Sequence, residues 1–137
     1  MKKVLIVLTV MYSFISVQAQ QNEQKIIIDV TSTDNKVYQS VLLTLNIMTK
    51  SHPQTKFEVV AYGEAVPMFV KDKTVIAKDI AMLKDNKNVK FIACEVSMSL
   101  FNIKKEELLE GIATVENAVA DIVYKQSLGW GYIKSGN

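Results

Sequence analysis

Cys94 is the residue of this chain best suited to covalent chemistry. It lies in Val89-Lys-Phe-Ile-Ala-Cys-Glu-Val-Ser-Met-Ser99 and is the single cysteine among 137 residues. With no second thiol in the chain there is no intrachain disulfide. Cys94 is therefore either a small apolar packing residue or a reactive group. A helix beginning just after it would turn backbone N–H groups and a positive dipole end toward the sulfur, favouring the nucleophilic thiolate. Glu95 and Glu64 would oppose ionisation, and Lys71 or Lys73 would offset them if their loop folds over the site.

The other chemistry-bearing residues read as ordinary. His52 precedes Pro53 in a polar turn and is expected to be a solvated loop residue. Met68, Met82 and Met98 are expected to pack, and Trp130 and Tyr132 to sit in a core or interface. One histidine and one cysteine cannot close a zinc site, so no metal is expected. The chain has no GxGxxG, P-loop or GxSxG pattern, and no cofactor is expected.

The elements that would position Cys94 alternate between strand and helix. Lys25-Ile-Ile-Ile-Asp-Val30 is a β-branched run suited to a strand buried on both faces. Thr31 to Asp34 supply N-cap residue types, and Val37, Val41, Leu42, Leu45 and Met48 recur at helical spacing over Asn35 to Lys50. Lys56 to Tyr62 is a second strand, followed by the irregular Gly63–Pro67 and an apolar patch at Met68–Val70. Ile76, Ile80 and Leu83 mark another helix. Val89 to Ala93 is a third strand with Cys94 at its carboxyl end. Val96 to Phe101 reads as a helix or helical turn and Asn102 to Gly111 as a short capped helix. Ile112–Val115 is a fourth strand, Glu116 to Leu128 a helix, and Trp130 to Lys134 a terminal strand. This alternation predicts a parallel sheet flanked by helices. Ligands of such sheets sit at the carboxyl ends of strands. The expected cleft is therefore lined by Thr31, Ser32 and Asp34, by Tyr62 and Glu64, and by Cys94, Glu95 and Ser97, with Met68 and Phe69 beside them.

The N-terminus adds a location. Lys2 and Lys3 precede the apolar run Val4–Val17, and Val17-Gln-Ala19 fits a small-x-small cleavage site. The run falls short of the roughly 20 residues that span a bilayer. Residues 1–19 are expected to be a cleaved signal peptide, 20–24 a polar linker and 25–137 a single domain. The expected location is periplasmic or secreted, with no membrane span after cleavage. Without Lys2 and Lys3, fourteen lysines face fourteen acids, and the chain contains no arginine. A neutral, arginine-free domain is a poor partner for nucleic acid.

Phe91-Ile-Ala-Cys-Glu-Val-Ser-Met-Ser-Leu-Phe-Asn-Ile-Lys-Lys-Glu-Glu-Leu-Leu-Glu-Gly-Ile112 resembles the DsrE/DsrF-like family. Its members often show a strand ending in Ala-Cys, then a Lys-Glu-(Asp/Glu)-Leu-Leu-x-Gly-(Val/Ile) element. Gly111–Val123, Leu128–Lys134 and the opening strand and helix are similar to the family too, so the resemblance runs from about Lys25 to Lys134. It implies a three-layer α/β/α domain with a five-stranded, mainly parallel sheet, and homo-oligomers, commonly trimers or hexamers. In sulfur-relay members a cysteine after the third strand carries a persulfide between partner proteins, and Cys94 matches that position. Many relatives continue Cys-Gly-Asn where this chain has Cys94-Glu95-Val96. The resemblance implies an exported sulfur carrier or sulfurtransferase-like protein acting through Cys94, with a sulfur-donor or acceptor protein as partner. The alternative is a non-catalytic oligomeric module that binds a small ligand or partner, with Cys94 structural or redox-sensing.

Overall fold

The computed structural model describes residues 23–136. The expected export segment, residues 1–19, lies outside the described residues. Five strands form one all-parallel sheet: β1 (Lys25–Val30), β2 (Lys56–Ala61), β3 (Val89–Cys94), β4 (Ile112–Val115) and β5 (Gly131–Ser135). Their spatial order is β4-β3-β2-β1-β5. Four α-helices connect them: α1 (Asn35–Ser51), α2 (Ala77–Leu83), α3 (Glu95–Leu100) and α4 (Ala118–Ser127). No helix among the described residues is long and apolar enough to cross a membrane.

The strands begin and end close to where their β-branched runs do, because a central parallel strand is apolar on both faces. Along β1, Ile28 and Val30 point to one face and Ile27 to the other, and all three are buried. The first face carries the larger core. There α1 contributes Val41, Leu42 and Leu45, α2 contributes Ile80 and Leu83, and Phe69 meets Phe91 edge to face with ring centroids 6.0 Å apart. The second face is covered by α4, whose Ala118 and Ile122 pack on Ile27, Val60, Ile92 and Cys94. A buried ion network reinforces this thinner layer. Lys125 on α4 bonds to Glu58 of β2 and, at 2.7 Å, to Asp121. Removing Lys125 would leave Glu58, only 6 % exposed, without its cation.

Two expectations are corrected. Asn102 to Gly111 is not a helix but a single 3-10 turn, Lys105–Glu107, between extended residues. Its backbone is recruited by a distant segment: Lys71 N–H bonds to Glu107 O, Leu109 N–H to Phe69 O, and Leu108 bridges Val70. Those pairings hold the residues that flank the turn in extended backbone. The Met68/Phe69 patch does not line a cleft. It belongs to a 3-10 helix, Gly63–Phe69, and both side chains are buried in the first-face core.

Candidate functional site

Cys94 closes β3 and serves as the N-terminal flanking residue of α3, with extended backbone at φ −81°. Strand alternation sends its side chain to the second face, and only 4 % of the residue is exposed. The start of α4 reaches the same point. Ala118 N–H donates to Cys94 Sγ at 3.4 Å, and Glu116 O lies 3.9 Å from the sulfur on the thiol-donor side. Val96 N–H donates to Glu116 O at 3.2 Å, which ties the first turn of α3 to the approach of α4. Asn117 fixes that approach by accepting Ala120 N–H at 3.1 Å, a side-chain cap. The sulfur thus lies where two helices begin.

Two opposing influences act on the thiol. Burial raises the pKa of the thiol and is the largest single influence. The Ala118 N–H, the Ser97 hydroxyl and N–H, and the Val96 N–H together outweigh it. The net effect places the thiol below its ordinary value of 9.0.

Glu95 does not crowd the sulfur from the same side. It is exposed, and its Oε1 accepts the Thr114 hydroxyl at 2.5 Å. Thr114 is the register partner of Ala93, whose side chain points to the face opposite Cys94. The acid is therefore held toward the other side of the sheet edge. Ser97 is buried, and its Oγ accepts Gly63 N–H at 2.8 Å. Gly63 takes a left-handed φ of +58°, which a glycine adopts without cost and which starts the 3-10 helix directly beside α3.

The strand order makes β3, β2 and β1 neighbours, so the three expected segments do abut. Tyr62 follows β2 in the row beside Cys94 and packs against the same apolar cluster. Glu64 is exposed on the 3-10 helix. The β1 segment serves the turn instead: Ser32 Oγ accepts Asp34 N–H at 3.1 Å, and Asp34 Oδ1 accepts Lys36 N–H at 2.8 Å, capping α1. Thr31 is half-buried beside them. Cys94, Ser97 and Tyr62 are thus gathered, while Asp34 and Glu64 face solvent. Among the described residues no three His, Cys, Asp or Glu side chains converge as a metal site requires.

One group escaped the sequence reading. Asp29 of β1 is 2 % exposed on the face that carries Cys94, and its Oδ2 accepts hydroxyls from Tyr62 at 3.1 Å and Tyr132 at 2.5 Å. The Asp29 bond and burial push Tyr132 up to about 12, and burial together with Asp29 raises Tyr62. The available signal was an acid inside an otherwise apolar strand. His52 lies after α1, near the amino end of β2, and hydrogen-bonds Ser51 at 2.8 Å, at the opposite end of the parallel strands from the thiol.

A family model described as the DsrE/DsrF/DrsH-like family matches residues 6–125. Among solved structures, a protein of unknown function, MTH1491 from Methanobacterium thermoautotrophicum, superposes with a TM-score of 0.75. It shares 24 % identity over 81 % of this chain and 98 % of its own. The ychN protein from E. coli gives 0.66 at 15 % identity, covering 81 % of this chain and 98 % of that one. The conserved protein of unknown function BT1422 from Bacteroides thetaiotaomicron gives 0.66 at 14 %, covering 85 % and 99 %. These likenesses establish the fold. No curated protein matches.

Proposed function

We propose that this chain, which belongs to the DsrE/DsrF/DrsH-like family, carries sulfane sulfur as a persulfide on Cys94. The observation that supports this most is the convergence of N–H donors on the sulfur, which lowers the pKa of a thiol that burial alone would raise. In the reaction the Cys94 thiolate attacks the sulfane sulfur of a donor persulfide. A new S–S bond forms on Cys94 as the donor's S–S bond breaks, and the donor departs as a thiolate that takes a solvent proton. An acceptor thiolate then removes the terminal sulfur and regenerates Cys94. No net electrons move, so the cycle needs no cofactor.

We further propose that the protein is exported, on the strength of the Met1–Ala19 pattern, and works as a homo-oligomer of the trimer or hexamer kind. Exposed apolar side chains on α3 and α4, among them Val96, Leu100, Val119 and Val123, support the oligomer. A second reading is favoured by the 4 % exposure of Cys94: a non-catalytic binding module in which the thiol packs.

Intact-mass analysis separates the two. Reduced protein treated with polysulfide, or with thiosulfate and a donor sulfurtransferase, is expected to gain one sulfur on Cys94. Dithiothreitol should remove it, and Cys94→Ser should not acquire it. If folded protein stays unmodified while urea-unfolded protein is modified, the packing reading wins.

A further inference from the structure

We propose that Asp29 forms the floor of a binding site for a small primary-ammonium ligand. The site lies on the α4 face of the sheet and is framed by Tyr62 and Tyr132.

The Asp29 carboxylate has one oxygen with an unmet hydrogen bond. Both tyrosine hydroxyls donate to Oδ2 of Asp29, while Oδ1 is buried and has no partner. Buried polar atoms are paired in the great majority of cases, and one left alone loses its hydration without compensation. Neither protonation state resolves this. An ionised Oδ1 presents lone pairs to no donor, and a protonated one presents an O–H to no acceptor.

The missing partner is best supplied as a cation. Asp29 is 2 % exposed, yet it takes part in no ion pair among the described residues, and its two hydrogen-bond partners are neutral. An ammonium group answers the charge and the orphaned acceptor together. The two tyrosines lie between Asp29 and solvent: Tyr132, on the edge strand β5, is 40 % exposed and Tyr62 is half-buried. The two aromatic rings form an apolar frame suited to the carbon attached to the amine. One lysine of the chain is close: Lys134 is the register partner of Asp29 on β5, but its side chain is exposed.

The test uses Cys94→Ser protein, so its outcome is independent of sulfur chemistry. Ethylammonium chloride is titrated against amide chemical shifts, with ethanol as the neutral isostere and tetramethylammonium as the cation without N–H donors. Ethylammonium is expected to shift Asp29, Tyr62 and Tyr132 saturably in the millimolar range, the ceiling for so small a ligand. Ethanol and tetramethylammonium should not, and Asp29→Asn should weaken the ethylammonium response at least tenfold. Equal shifts from tetramethylammonium, or no saturation with ethylammonium, would overturn the proposal. So would a response that appears only in Lys134→Met, because the chain would then be filling the site itself.

Discussion

At the scale of single residues, the chemistry proposed for this protein rests on how a buried sulfur is surrounded. Burial and N–H donation pull the Cys94 thiol in opposite directions, and donation prevails. A thiol depressed by folding adds stability that is complete above the unfolded value, near 9, and is lost as pH falls through the folded value. The stability difference between wild type and Cys94→Ser should therefore widen in favour of wild type as pH rises toward 9. Urea denaturation at a series of pH values checks this, and a difference that stays flat contradicts the donor arrangement. Tyr132 works in the other sense. Its raised value gives stability that is complete below about 10 and is lost as pH rises toward about 12. In Tyr132→Phe the steepest part of the alkaline loss should be gone. At this scale the sequence was half legible. Cys94 announced itself by being alone, and its place after a strand was readable. The Asp29 cluster was not, because its partners lie 33 and 103 residues away, a separation that local pattern does not encode.

At the scale of elements, the beginnings of helices do more than their lengths. The segment Glu116–Asn117 delivers the Ala118 N–H to the sulfur, and Asn117 holds that turn in place. Asn117→Ala should cost about 1 kcal/mol through the lost cap. The same change should raise the Cys94 thiol, because the first turn of α4 would no longer present its N–H steadily. Thiolate absorbance against pH, alongside a thermal melt, measures both; destabilisation with an unmoved thiol would separate cap from site. Strands were readable because continuous β-branched runs have few other uses in a chain of this size. The span 102–111 misled for a physical reason. Lys104, Lys105, Glu106 and Glu107 are good helix formers, but Glu107, Leu108 and Leu109 pair through their backbones with residues 69–71, and such tertiary pairing outweighs helix propensities of a few tenths of a kcal/mol.

At the scale of the whole molecule, the two layers of helix are unequal. One face of the sheet has α1, α2 and the 3-10 helix over it, and the other has α4. The thinner layer holds Cys94 and turns Val119 and Val123 outward, 54 % and 61 % exposed, and Leu100 of α3 is 74 % exposed. Sedimentation velocity should show a trimer or hexamer, and Leu100→Lys with Val123→Lys should return it to monomer with unchanged circular dichroism. A wild type that sediments as a monomer at micromolar concentration would refute the proposed assembly.

The order β4-β3-β2-β1-β5 also has a consequence in time. The last strand of the sheet, Gly131–Ser135, pairs with the first, Lys25–Val30, after more than a hundred residues of intervening chain. Such a closure is slow compared with the neighbouring β1–β2 and β2–β3 pairings. Until it happens, one edge of β1 is an open template for foreign strands, and Asp29 holds only one of its two tyrosines. A chain stopped before Gly131 would carry the thiol and both of its helix starts, yet would keep that edge of β1 uncovered.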